Sequence, residues 1–266
     1  MPRTPIIAGN WKMHKTVGEA VELVNALVDS TKDVKDVEIV VCPPFTALYP
    51  VRHALTGTHI GLGAQGAFWE TKGAYTSQIS PVMLADIGCK YVIIGHSETR
   101  GRFGTVDENL RTVLSYFSET DETINRKVGA AFGAGLIPIV CCGELLDERK
   151  TGRTDDVVRR QITADLAGLT AEQAASVVIA YEPVWAIGTG EVCDAPEANR
   201  VCRVIRGVVR DMFGADAAEA VRIQYGGSVK PENSGELLHQ PEIDGALVGG
   251  ASLAADDFTA IVKSAL

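Results

Sequence analysis

Eight short apolar runs, rich in β-branched residues, punctuate the chain: Ile6-Ile7-Ala8, Val37 to Cys42, His59 to Leu62, Tyr91 to Ile94, Pro138 to Cys142, Val177 to Tyr181, Val221 to Tyr225 and Ala246 to Val248. Their near-continuous apolarity is what a strand covered on both faces requires. Most are followed by apolar residues at helical spacing, as with Val21, Val24 and Val28 within Val17 to Val28, and later Val201, Val204, Ile205 and Val208. Eight strand–helix units in 266 residues predict an α/β fold, a closed parallel (β/α)8 barrel, which ordinarily takes about 250 residues. Pro and Gly are dispersed and no low-complexity linker divides the chain, so a single domain over residues 1–266 is expected.

The net charge of −9 and the absence of a basic stripe argue against a nucleic-acid or anionic-membrane partner. An anionic substrate must therefore meet a local positive site. No window approaches the roughly 20 apolar residues of a membrane span, and no signal-like stretch precedes Ile6, so a cytoplasmic protein is expected. Cys42, Cys89, Cys141, Cys142, Cys193 and Cys202 show neither a C-x-x-C pair nor a metal-ligand spacing, which favours reduced core thiols and no metal site. Cys141 and Cys142 read as neighbouring strand positions facing opposite sides.

Polar and glycine-rich signals gather just after the strands. Asn10 and Lys12 follow the first, His96, Ser97 and Glu98 the fourth, Glu182 the sixth, Gly226-Gly227-Ser228 the seventh and Gly249-Gly250 the eighth. In a parallel barrel all of these positions share the C-terminal face, where side chains distant in sequence converge. The glycine pairs allow backbone N–H groups to approach an anion, especially if Gly250-Ala251-Ser252 opens a short helix. Either pair alone would mark only a tight turn. Glu182 precedes a loop that is stiff at Pro183 and Trp185 and free at Gly188 and Gly190, the pattern of a carboxylate base beneath its own lid. His96 could be an ordinary turn histidine. Opposite Glu182 and beside Lys12 it becomes a candidate electrophile, and the set suits proton abstraction next to a carbonyl.

Five segments in this order, Ala8-Gly9-Asn10-Trp11-Lys12-Met13, Gly95-His96-Ser97-Glu98, Tyr181 to Gly190, Tyr225-Gly226-Gly227-Ser228 and Leu247-Val248-Gly249-Gly250, resemble the triosephosphate isomerase family. The resemblance implies a single-domain (β/α)8 TIM barrel that interconverts dihydroxyacetone phosphate and D-glyceraldehyde 3-phosphate in glycolysis and gluconeogenesis, without a cofactor. It implies that Glu182 moves the proton, that neutral His96 polarises the carbonyl, and that Lys12 and Asn10 complete the oxyanion and substrate site. These roles are those of the general worked case of a carboxylate base with a neutral histidine and a closing loop. It further implies phosphate binding by the backbone of Gly188, Ser228, Gly249 and Gly250, electrostatic support from Glu98, and an apolar wall of Ile187 and Leu247 disfavouring charge on Glu182. A homodimer is implied because the family's Thr76 loop docks beside the neighbouring subunit's site. An isomerase of a four-carbon ketose phosphate such as erythrulose phosphate, and a catalytically silent barrel that binds metabolites, are the alternatives.

The chain departs from the family's pattern in places. Ser77-Gln78 stands where Gly-Glu usually follows the Gly-Ala-aromatic-Thr motif, and Thr99 stands where the first Arg of Glu-Arg-Arg is usual. Losing both members of an expected interface ion pair avoids leaving one charge partly buried alone. Glu191-Val192-Cys193 replaces the commoner second hinge of the lid. About fourteen residues, Thr105 to Ser118, look inserted after strand 4. A capping-box pattern at Thr105 to Glu108 and a stripe of Val106, Leu110, Val113, Leu114 and Phe117 predict an extra helix, packed on its own barrel or serving an interface.

Overall fold

The computed structural model describes residues 3–103, 112–114, 116 and 118–266. Eight strands lie at Ile6–Asn10 (β1), Glu38–Cys42 (β2), Gly61–Ala64 (β3), Tyr91–Ile94 (β4), Ile137–Cys142 (β5), Val178–Tyr181 (β6), Arg222–Tyr225 (β7) and Gly245–Val248 (β8). Each pairs in parallel with the next, and β8 returns to β1 in the register Ile6↔Gly245 to Gly9↔Val248, closing the barrel. The described helices are Val17–Thr31 (α1), Leu48–Ala54 (α2), Pro81–Ile87 (α3), Asp121–Gly133 (α4), Leu146–Lys150 (α5), Thr154–Asp165 (α6), Ala171–Ser176 (α7), Ala195–Phe213 (α8), Ala215–Ala220 (α9), Pro231–Leu238 (α10) and Ala255–Lys263 (α11). Among the described residues no helix is long and apolar enough to cross a membrane.

Strand side chains alternate between two cores, as the two-residue period of a strand dictates. Ile6, Ala8, Val40, Cys42, Ile93, Ile139, Cys141, Val178, Ala180 and Leu247 fill the barrel interior. Ile7, Val41, Ile94, Val140, Cys142 and Ile179 point outward and pack with the helices. Cys141 and Cys142 thus face opposite sides, as expected from their adjacency. All six cysteines are buried and unpaired.

Two expectations shift. β3 starts and ends two residues later than the apolar run His59 to Leu62, because its second half is built from the small residues Gly63 and Ala64. A Cβ at residue 63 would lie 2.6 Å from Cys42 Sγ, so the tight interior explains the glycine. On α1 the buried face is Ala20, Leu23, Val24, Leu27 and Thr31, with Val21 and Val28 at its margin. Of the three valines that marked the helix, Val24 lies in its packed face and the other two flank it. Leu23 and Leu27, buried against the core, each contribute on the order of 1.5–3 kcal/mol.

The helix expected over Thr105 to Ser118 falls largely on residues 104–111, 115 and 117, outside the described residues. Of the remainder, Thr112 to Leu114 are helical, Tyr116 N donates to Val113 O at 3.2 Å and Ser118 Oγ to Leu114 O at 2.9 Å.

A charged plug closes the N-terminal mouth of the barrel. Glu38 at the start of β2 accepts from Lys90 Nζ at 2.5 Å and from Arg222 Nη1, at the start of β7, at 2.6 Å. Arg222 Nη2 also reaches Tyr91 Oη at 3.3 Å. Burial alone would raise the Glu38 pKa, but the hydrogen bonds from Lys90, Tyr91 and Arg222 outweigh it and hold it at about 2. A carboxylate depressed below its ordinary value of about 4.3 contributes stability that is present above that value and is lost as pH falls through the folded one. Thermal melting of the protein and of Glu38→Gln should therefore differ most above about pH 5 and converge as pH approaches about 2. A gap that stays constant across that range would remove Glu38 from the acid transition.

Candidate active site

The C-terminal ends of β1, β4, β6, β7 and β8 surround a cavity of about 520 Å³. Asn10, Lys12, His96, Glu182, Gly188, Ser228, Gly249 and Gly250 all line it, and so do Ile187 and Leu247. Glu98 does not. It sits beside the cavity, where its Oε1 accepts from Lys12 Nζ at 2.7 Å. Among the described residues no group of His, Cys, Asp and Glu is arranged to hold a metal ion.

Glu182 follows β6 directly and is almost wholly buried. Its position depends on close packing between strand ends: a Cβ at Gly143, just past β5, would fall 1.7 Å from Glu182 O. Ser97 N donates to Glu182 Oε2 at 2.8 Å, and His96 Nε2 lies 2.9 Å from Oε1. That second approach is off the ring N–H direction, so Oε1 is a buried carboxylate oxygen with no aligned donor. It retains acceptor capacity inside the cavity wall, an exception to the rule that buried polar atoms are satisfied.

The His96 ring is held from both sides. Glu98 N donates to Nδ1 at 3.2 Å, which specifies a neutral ring with its proton on Nε2, the nitrogen nearer Glu182. Burial is the largest single influence and favours that neutral form, while the Glu182 carboxylate and, behind it, Glu98 together draw the ring's pKa upward. We assign the tautomer from the backbone hydrogen bond, because a second proton at Nδ1 would break it.

Lys12 has φ of +50°, a left-handed conformation that costs a non-glycine residue of order 1 kcal/mol or more. Two neighbours enforce it. Lys12 N donates to Asn10 Oδ1 at 3.0 Å, and Gln65 Nε2 donates to Lys12 O at 2.8 Å and to Cys42 O at 2.9 Å. Asn10 is thus a positioning group for Lys12 as well as part of the cavity wall.

The loop after Glu182 is anchored at one end and open at the other. Val184–Ala186 form a 3-10 turn, and buried Trp185 donates from Nε1 to Glu144 Oε1 at 2.8 Å. Glu144 is fully buried and also accepts from Tyr181 Oη at 3.1 Å, while the Arg149 guanidinium stacks 4.2 Å above the Trp185 ring. Burial raises the Glu144 pKa, opposed by the Trp185 and Tyr181 donors. Gly188, Gly190, Glu191 and Val192 are exposed. The chain is fixed again at Asp194, whose carboxylate caps α8 by accepting from Glu197 N at 2.8 Å. The departure at Thr99 also has a local accommodation. Thr99 Oγ1 lies 2.7 Å from Glu119 Oε2, and the Glu119 charge pairs with Lys127 within the chain.

Gln65 and Glu144 are the site residues that sequence reasoning missed. Both stand within two residues of a strand end, β3 and β5, the same position that drew attention to Asn10 and Glu182. Neither belongs to a recognisable chemical motif, since each serves another residue rather than a ligand.

A closed parallel barrel with an unsatisfied carboxylate, a neutral imidazole and a lysine gathered at its C-terminal face defines the class: a (β/α)8-barrel enzyme site for a small anionic substrate. Comparison with known proteins makes the class specific. The sequence pattern of triosephosphate isomerase matches residues 5–265. Triosephosphate isomerase of Carboxydothermus hydrogenoformans is 55% identical over 264 residues, 99% of this chain and 100% of that protein. The Dictyoglomus thermophilum enzyme of the same name is 50% identical over 98% of this chain and 100% of its own length. The crystal structure of triosephosphate isomerase from Bartonella henselae superposes with a TM-score of 0.82 at 38% identity, covering 98% of each chain. The chain belongs to the triosephosphate isomerase family.

Two substitutions test the supports of this site. Gln65→Leu should lower kcat/KM by about tenfold or more while melting within a few degrees of the parent, because Lys12 relaxes from its enforced backbone. Unchanged kinetics would mean that Asn10 alone holds Lys12. Trp185→Phe should cost about 1–3 kcal/mol in denaturant unfolding, since it deprives buried Glu144 of a donor.

Proposed function

We propose that the chain interconverts dihydroxyacetone phosphate and D-glyceraldehyde 3-phosphate, the isomerisation used in glycolysis and gluconeogenesis, by proton transfer through an enediolate. The observation that carries this reading is the buried, donor-free Oε1 of Glu182, set 2.9 Å from His96 Nε2 in the cavity wall. In this reading Oε1 takes the proton from one carbon of the substrate and returns it to the adjacent carbon. The His96 Nε2–H and the Lys12 ammonium donate to the oxygens on which negative charge develops, as preorganised donors do in a water-poor site. Asn10 fixes Lys12, and Glu98 holds both the lysine head, through its carboxylate, and the imidazole, through its backbone N–H.

The phosphate would lie against Gly188, Ser228, Gly249 and Gly250. A Cβ at Gly188 or Gly250 would meet no protein atom within 4 Å, and one at Gly249 only Lys12 Cε at 3.7 Å. Packing of the chain itself therefore leaves this space open, which supports a ligand's close approach to backbone there. Gly250–Leu253 form a 3-10 turn stabilised by Ser252 N to Gly249 O at 2.9 Å, in keeping with the short helix expected after the glycine pair. The lid is the loop from Ala186 to Gly190, its exposed glycines Gly188 and Gly190 lying between the Trp185 anchor and the Asp194 cap. All of these steps use protein groups alone.

A homodimer fits the surface of the same face. Met13, Phe45 and Tyr75, on the connections after three consecutive strands, Tyr49 on α2, and Val82 and Met83 on α3 are exposed, Met13 by 95%. Large apolar side chains gathered in one sector favour burial against a second copy. The buried free thiols suit a reducing compartment, and we place the enzyme in the cytosol.

Glu182→Gln should lower kcat by several orders of magnitude with substrate still bound, and His96→Gln by roughly 100-fold or more. Turnover of three-carbon and four-carbon ketose phosphates, compared in one coupled assay, checks the substrate. A preference for the four-carbon compound, or near-normal rates in Glu182→Gln, would overturn the proposal. Sedimentation across a dilution series should show a dimer, and a monomer at all concentrations would remove that part of it.

A further inference from the structure

At the opposite mouth of the barrel lies a second cavity, of about 600 Å³, whose lining comes from four separate segments: Arg3-Thr4, the stretch from Lys32 to Glu38, His59, and Ala220 to Arg222. Its charge is opposite to that of the molecule. Arg3, Lys32, Lys35 and Arg222 line it against one carboxylate, Glu38, in a chain whose net charge is −9.

Part of this charge is committed. Arg3 Nε bonds to Asp244 at 2.5 Å with Glu219 at 3.7 Å, and Arg222 bonds to Glu38 at 2.6 Å. Lys90, also on Glu38, shares that carboxylate between two cations. Lys32 and Lys35 make no ion pair among the described residues, and the His59 ring has Nε2 on Thr31 Oγ1 at 3.1 Å. The C-terminal end of α1 at Thr31 opposes an anion, but a helix terminus carries only about half a charge, which two unpaired ammonium groups outweigh. Val34 and Val37 are 4% and 5% exposed and present little surface of their own to an occupant. The four cations are therefore the groups that distinguish this cavity, and they select for negative charge.

We propose that this N-terminal mouth is a binding site for the di- or triphosphate group of a small metabolite, separate from the catalytic phosphate site at the other end of the barrel. Lys32 and Lys35 supply the unpaired charge. Arg3, which also donates to Glu219 O and Pro241 O, and Arg222, which also reaches Tyr91 Oη, are committed to protein acceptors and add fixed positive charge beside the two lysines. The strength of this attraction is screened by salt, so the site works over contact distance and not as a long-range funnel.

Inorganic pyrophosphate is the probe, titrated calorimetrically into the full chain at low salt without divalent cations. Ser228→Asp places a carboxylate in the catalytic phosphate site, so binding that survives in that variant is elsewhere. Adding Lys32→Glu and Lys35→Glu to it should weaken pyrophosphate binding by about tenfold or more. In the otherwise unaltered chain the same two changes should leave kcat/KM within about twofold, since neither lysine is near the catalytic cavity. If charge reversal disturbs the melting temperature, Lys32→Gln with Lys35→Gln gives the same comparison with neutral side chains. Adenosine triphosphate run beside inorganic triphosphate separates the sources: equal affinity assigns the free polyphosphate, tighter binding the nucleotide. Loss of all binding in Ser228→Asp, or equal affinity with and without the two lysines, overturns the proposal.

Discussion

Closure of the parallel sheet is the constraint from which the remaining geometry follows. Once β8 pairs with β1, all eight strands point the same way round one axis, and every residue just past a strand's end stands on one rim. The two-residue period then divides each strand between an inner and an outer core. A one-residue slip in any strand would exchange the two sets, so register is held by burial on both faces as well as by hydrogen bonding. The rim residues inherit their positions from this rigid frame. That is how Glu182 after β6 and His96 after β4 meet at 2.9 Å, and how Ser97 N reaches the same carboxylate across a sequence separation of 85.

The site concentrates features that are unfavourable elsewhere. A buried carboxylate oxygen lacks an aligned donor, and Lys12 holds a left-handed backbone. Neither would persist without its surroundings. Gln65 and Asn10 enforce the first-strand connection, and the Glu144 cluster with Trp185 and Tyr181 pins the loop beside Glu182. The two ends of the barrel thus use charge differently. At the N-terminal mouth Glu38 is fully paired with Lys90 and Arg222, while at the C-terminal rim acceptor capacity is left open in the cavity.

How far the chain could be read before folding varied with the physical nature of the signal. The strands were legible because burial on both faces demands apolar runs, and the rim motifs because Asn10, Lys12, His96 and Glu182 each follow such a run. β3 was displaced because Gly63 and Ala64 carry no large apolar side chain, and at residue 63 Cys42 across the interior leaves no room for one. The buried face of α1 was shifted from the valine stripe because Ala20, Leu23 and Leu27 join Val24 against the core while Val21 and Val28 stay at the margin. Gln65 and Glu144 went unread because they bond to Lys12 O and to the Trp185 indole, partners that adjacency in sequence does not suggest. The cationic mouth shows the same limit: no basic run exists, yet three segments bring four cations to one cavity.

By itself, then, the sequence determined the number and order of strand–helix units, the residue types at each strand's end and the net negative charge, since these depend on local pattern and composition. Only the tertiary structure decided which acceptor of Glu182 is left open, which tautomer His96 adopts, what holds Lys12 at φ +50° and where unpaired lysines collect. Those outcomes are set by distances between groups on different strands and loops. Such distances exist only after the barrel has closed.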